Sequence, residues 1–152
     1  CGSGILSVAM AKLGATVWAI DNDALAVKAT QATIQQNNVE QQVTVMQASL
    51  GQGSSMGHWM GGEIADEVDT LPAESRFDLI AANILSRVHV TLADEYQRSL
   101  RASNAQPGFL ITAGYTTDHE AEVREALTQA GFDALATERM HEWVAIAFQI
   151  YG

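Results

Sequence analysis

Gly2, Gly4, Asp21 and Asn83 are the residues of this chain whose types and spacing can do chemistry. The glycines flank Ser3 and run straight into a helical pattern. Glycine lets a backbone turn sharply and approach a ligand with no Cβ in the way. The free N–H groups of the helical turn that follows then point at that ligand. Asp21 ends a short apolar strand close to twenty residues further on. In doubly wound folds an acid at that place bonds the hydroxyls of a ribose through its two carboxylate oxygens. Its competing role is to cap the helix starting at Ala24, which Asp23 can also do. Asn83 stands at the carboxyl end of another apolar strand, "FDLIAAN", where open α/β sheets put their ligands.

Turn, helix, strand and acid together specify a nucleotide-like ligand, and two kinds compete. A dinucleotide fingerprint has a third Gly or Ala three positions after its second glycine, and here that position is Ser7. Hydride transfer has no particular use for an asparagine at the strand end. Methyl transfer from S-adenosylmethionine to an amine does, because the asparagine carbonyl can accept an amine N–H.

The elements that must position these groups alternate. Helical spacing covers residues 5–13, 24–36, 87–101 and 118–130. In the first, Ile5, Val8, Ala9 and Leu13 can share a face. In the third, Val88, Leu92, Tyr96 and Leu100 form one stripe, and in the fourth Val123 and Leu127 point inward before a stop at Gly131. Strand-length apolar runs occupy residues 16–20, 43–46, 77–82, 108–112, 134–137 and 143–150. Their lack of clean alternation predicts strands covered on both faces. The last two lie too close for a crossover helix, so they form an antiparallel pair. The expected fold is an α/β, doubly wound, mostly parallel sheet with the last strand reversed.

Of 152 residues, 47% are hydrophobic and 17% charged, which suits one globular domain. The net charge of −10, from 18 acids against 8 basic residues, repels phosphate backbones and favours a basic partner. One cysteine, Cys1, excludes an internal disulfide and suits a cytoplasmic protein. No apolar run approaches the ~20 residues of a membrane span. Residues 51–76 are long for a connection, Gly-rich around Met56, Trp59 and Met60 and acidic afterwards, and read as an insertion. His58, His89, His119 and His141 are expected to be surface or half-buried residues. None has a cysteine or second histidine at metal-ligand spacing, so no metal is assigned.

The stretches "CGSGILSVAMAKLGA", "VWAIDNDALAVKAT", "FDLIAANIL" and "HEWVAIAF" resemble the bacterial methyltransferases that modify the eleventh large-subunit ribosomal protein on lysine and α-amino nitrogens. The opening motif is common to many S-adenosylmethionine enzymes, and "ANIL" with the "EWVAI" tail narrows it to this family. The resemblance spans the chain outside residues 51–76. It implies a Rossmann-like methyltransferase sheet of seven strands, the last antiparallel. It also implies S-adenosyl-L-methionine as cofactor, with Gly2 and Gly4 at its methionine end, Asp21 on the ribose and Asn83 beside the sulfonium. The loop at Ala48 and Ser49 would flank the adenine, where many relatives carry a carboxylate.

The family's motif begins upstream of Cys1, with a strand, an acid and a further glycine. The expectation is therefore a truncated catalytic domain lacking its first, central strand and a separate substrate-recognition domain. On this reading the 152 residues alone neither fold stably nor catalyse. The expected activity of the whole is methyl transfer to amino groups of a basic ribosomal protein. The alternatives are a methyltransferase for another protein or a small molecule, a non-catalytic cofactor-binding or interaction domain and, most distantly, a dinucleotide oxidoreductase.

Overall fold

Helix and strand do take turns along this chain, and the computed structural model gathers them into two units, Cys1–Leu71 and Pro72–Gly152. It describes residues 1–51, 69–71, 77–103 and 106–150. Met56, His58, Trp59 and Met60 of the expected insertion lie outside the described residues.

The first unit holds helix α1 (Ile5–Lys12), strand β1 (Val17–Asp21), helix α2 (Ala24–Gln36), β2 (Val43–Leu50) and β3 (Asp69–Leu71). Its strands are parallel in the order β1-β2-β3, with Val17 opposite Val43 and Ala48 opposite Asp69. The strand β3 falls inside the stretch expected to be an insertion. Three residues of strand are too few for a hydrophobic period to register.

Val17 and Ala19 point inward onto Val8, Ala11, Ile34, Val39 and Val43, while Trp18 between them is 40% exposed. This alternation corrects the expectation of strands buried on both faces: within this unit the helices cover one. The inward face of α1 also differs from expectation. Gly4, Ser7, Val8 and Ala11 are buried, whereas Ile5 and Leu13 are exposed. At the turn before α1 a Cβ on Gly4 would crowd Thr30 of α2, so that inward position takes glycine.

The second unit contains β4 (Leu79–Asn83), α3 (Ser86–Thr91), α4 (Ala93–Ser99), β5 (Phe109–Thr116), a 3-10 turn (Thr117–His119), α5 (Glu120–Gln129), β6 (Phe132–Met140) and β7 (Trp143–Ile150). The sheet order is β4-β5-β7-β6, with β4 and β5 parallel and β7 antiparallel to both its neighbours, as the reversed last strand requires. The expected helix over 87–101 is instead two, jointed at Leu92. Thr91 Oγ1 donates back to the Arg87 carbonyl at 2.9 Å, a bond that bends helices. Of the predicted stripe, Leu92, Tyr96 and Leu100 are buried and Val88 is half-buried.

Val144, Ile146, Phe148 and Ile150 alternate inward along β7 and are buried with Val123 and Leu127 of α5. Burying each such side chain stabilises by roughly 1.5–3 kcal/mol. The helix side of the hairpin end is pinned by charge. Arg139 donates through Nε and Nη2 to Glu120 Oε2 and Oε1 at 2.9 and 2.7 Å.

Candidate active site

Gly4 closes a turn back onto Cys1, its N–H donating to the Cys1 carbonyl at 3.0 Å. At φ +82° it lies in the left-handed region, and a Cβ there would sit 3.1 Å from both Cα and Cγ2 of Thr30 on α2. Conformation and space therefore both demand glycine. Thr30, fully buried, also donates through Oγ1 to the Gly2 carbonyl at 3.1 Å. It fixes the turn from behind. Nothing in "ALAVKATQATIQQ" marks Thr30 as a support, since its role depends on which face of α2 meets the turn.

Asp21 faces this turn from the end of β1. Its Oδ2 accepts the Gly2 N–H at 3.0 Å and the Cys1 nitrogen at 2.6 Å, and its Oδ1 accepts the Asp23 N–H at 3.1 Å. Burial raises its pKa, the Gly2 and Asp23 N–H groups bonded to it pull the other way, and the carboxyl lies below its ordinary 3.8. It is ionised at neutral pH, and Oδ1 keeps acceptor capacity for a hydroxyl. The helix cap is Asp23, whose Oδ1 accepts the Leu25 N–H at 2.8 Å. Asp21 is thereby released from its competing role.

Ala48 and Ser49 are not in a loop. They lie within β2 and pair with Asp69 and Thr70, and Ala48 is 2% exposed. The expected adenine-flanking loop at these residues is corrected accordingly: β2 continues past Met46 because β3 is there to pair with it.

Asn83 belongs to the second unit, exposed at the carboxyl end of β4 opposite Ala113 of β5. Beside it β5 bulges. Between Thr112 and Tyr115 two residues, Ala113 and Gly114, face the single Ala145 of β7, and bulges of this kind re-aim groups near active sites. Gly114 has φ +90°, and a Cβ there would come within 2.5 Å of Asn83 Oδ1 and 2.7 Å of both the nitrogen and oxygen of Ile84. The asparagine amide thus rests on a glycine floor. A signal for it was present: a lone glycine within an apolar strand pattern, "LITAGYT", marks a bulge or a close backbone approach. Asn83 and Gly114 line a recess of about 710 Å³ together with Glu138, Arg139, Met140 and Trp143 of the β6–β7 hairpin.

His89, expected at the surface or half-buried, is fully buried. Its Nε2 lies 3.0 Å from the Ala113 carbonyl and its Nδ1 3.3 Å from the Tyr96 hydroxyl. Burial pushes its pKa below 6.5, against the opposing pull of the backbone at Ala113 and Ile84. Tyr96 and Tyr115 beside it have their hydroxyls pushed up by burial and stay neutral. The unfolded chain protonates His89 near pH 6.5 and the fold resists it, so its contribution to stability is full above pH 6.5 and falls as pH drops. Acidifying from about pH 7.5 to about 5.5 should lower the melting temperature of the wild type more than that of His89→Gln. Equal slopes would contradict the assignment.

Gly2, Gly4 and Asp21 thus meet in the first unit, and Asn83 stands in the second. Among the described residues no three His, Cys, Asp or Glu side chains gather as a metal site, and no helix is long and apolar enough to cross a membrane.

The architecture is that of the Rossmann-like methyltransferases. An S-adenosylmethionine-dependent O-methyltransferase from Thermotoga maritima superposes with a TM-score of 0.70 at 15% identity, over 99% of this chain and 57% of that one. A ribosomal protein L11 methylase from Lactobacillus delbrueckii subsp. bulgaricus does so at 0.76 and 24%, over 99% of this chain and 66% of that one. Residues 1–150 match the family model described as ribosomal protein L11 methyltransferase (PrmA), and the chain belongs to that family. Relatives of that name from Chloroflexus aurantiacus and Herpetosiphon aurantiacus are 40% and 38% identical over 95% of this chain. The chain spans 45% and 44% of their lengths, less than half of either.

Proposed function

We propose that residues 1–152 form the S-adenosylmethionine-binding domain of a cytoplasmic enzyme that methylates lysine and α-amino nitrogens of ribosomal protein L11. The observation that carries this reading is the family match over residues 1–150. The geometry of Asp21, freed from capping and turned onto the glycine turn, supports the cofactor. The residues present fit such a ligand. Gly4 lets the turn pack closely on Thr30, a Cβ on Gly2 would meet nothing within 4 Å so that side of the turn is open, and Asp21 offers an ionised acceptor for a ribose hydroxyl.

When bound, the cofactor supplies a methyl group on a sulfonium, an activated donor, so the task of the protein is alignment. Asn83 Oδ1 accepts an N–H of the incoming amine and points its lone pair. A lysine with pKa ~10.4 must first lose a proton, at roughly 4.6 kcal/mol at pH 7. Asn83 cannot take it, and the proton leaves to water. Met140 and Trp143, which line the same recess as Asn83, offer apolar surface to the methylene stem of the lysine. The net charge of −10 favours a basic protein as substrate.

The test is methylation of purified L11 by the whole enzyme that contains these residues, read by mass spectrometry. Mass additions in steps of one methyl group on lysine or the N-terminus, lost in Asn83→Ala, are the expected result. An unmodified L11, with transfer to another acceptor, would overturn the substrate.

A further inference from the structure

We propose that His89 is a positioning residue for Asn83, acting through the carbonyl of Ala113. The inference rests on the reading of Asn83 as the residue that orients the acceptor amine. Asn83 is joined to Ile84, whose N–H donates to the Ala113 oxygen at 2.9 Å. The same oxygen lies 3.0 Å from His89 Nε2. A carbonyl only accepts, so Nε2 carries the proton, and in the neutral ring Nδ1 is then the acceptor of the Tyr96 hydroxyl. The Ala113 carbonyl sets the tautomer, Tyr96 donates to the nitrogen left free, and the carbonyl that His89 holds in turn holds the start of the segment following Asn83.

Two further features make this more than a satisfied core histidine. First, the bonded carbonyl sits in the bulge whose next residue, Gly114, is the floor under Asn83 Oδ1. A shift of Ala113 therefore moves both the floor and the tether of the same side chain. Second, α3 begins at Ser86 with Leu85 as its N-cap residue and no side-chain cap bond. With its first turn uncapped, α3 is located against β5 by His89, and Asn83 lies three residues before that turn. The edge of the Tyr115 ring packs on His89 with centroids 5.3 Å apart, and Tyr115 is in turn hydrogen-bonded to Thr112 at 2.8 Å. The imidazole has partners at both nitrogens and a ring against it, which leaves it one orientation.

The test compares wild type, His89→Leu and His89→Gln in the whole enzyme that contains these residues, with turnover on L11, affinity for S-adenosylhomocysteine and the Asn83 side-chain amide signals in NMR. Those signals are identified by their loss in Asn83→Asp. His89→Leu should lower kcat about tenfold or more, since small misplacements of reacting groups are costly, while affinity for S-adenosylhomocysteine stays within about threefold, and its Asn83 signals should shift and broaden. His89→Gln, which can still donate to Ala113, should recover much of the turnover and the sharp signal. If His89→Leu does not fold, Tyr96→Phe replaces it and should move the Asn83 signals in the same direction, by less. Unshifted Asn83 signals in the folded variant, or equal losses of kcat in Leu and Gln variants, would overturn the inference. A wild type that binds S-adenosylhomocysteine but leaves L11 unmethylated would overturn the proposed function alone. The Asn83 signals would then still decide the role of His89.

Discussion

Gly114→Ala is expected to reduce turnover on the order of a hundredfold while the affinity for S-adenosylhomocysteine stays close to wild type. The new Cβ would lie 2.5 Å from Asn83 Oδ1 and 2.7 Å from two backbone atoms of Ile84. Backbone atoms cannot step aside as the end of a long side chain can. Relief requires Asn83 and its segment to move by somewhat less than ~1 Å, a displacement that in a positioned reaction costs up to about two orders of magnitude. The left-handed φ of +90° adds strain for any residue with a Cβ. Steady-state kinetics beside calorimetry of the cofactor product would separate the two quantities. A Gly114→Ala enzyme with wild-type kcat would show that Asn83 does not need its present position.

Asp21→Ala should weaken binding of S-adenosylhomocysteine roughly ten- to a hundredfold, the worth of charge-assisted hydrogen bonds at ~1.5–3 kcal/mol. The loss has two sources. The ribose loses its acceptor, and the Gly2 N–H, now bonded to Oδ2 at 3.0 Å, loses the group that holds the turn in shape. Asp21→Asn should not rescue it, because one of its two polar atoms becomes a donor facing N–H donors. Asp23→Ala provides the contrast. It removes only the helix cap and should cost about 1 kcal/mol of stability, with cofactor affinity near that of wild type. Titration calorimetry on the three variants checks this ordering, and equal affinities for Asp21→Ala and wild type would remove Asp21 from the site.

What the sequence made legible was whatever depends on local order. Gly2, Gly4 and Asp21 could be paired because a turn, a helix and a strand of ordinary length bring their ends together. The span of α2 at residues 24–36 and that of β7 at residues 143–150 were likewise readable from composition and period. Asn83 was found as the polar end of an apolar strand.

Features set by partners distant in sequence were hidden. Thr30 looks like any small helical residue until α2 is laid against the glycine turn. The inward face of α1 was misassigned because hydrophobicity favours Ile5 and Leu13, whereas the buried residues are Gly4, Ser7, Val8 and Ala11, and at Gly4 the approach of Thr30 on α2 selects the residue. His89 carries no motif, and its burial depends on the Ala113 carbonyl and the Tyr96 hydroxyl, 24 and 7 residues away. The placement of Ala48 and Ser49 followed from ending β2 at Met46. The three residues of β3 that extend that pairing are too short to announce themselves.

The most direct test is a calorimetric titration of the whole enzyme, of which these residues are the proposed cofactor-binding domain, with S-adenosylhomocysteine and with NADH as the control ligand. Saturable binding of S-adenosylhomocysteine that Asp21→Ala weakens, and none of NADH, is the expected result. A folded chain that binds NADH and ignores S-adenosylhomocysteine would contradict it.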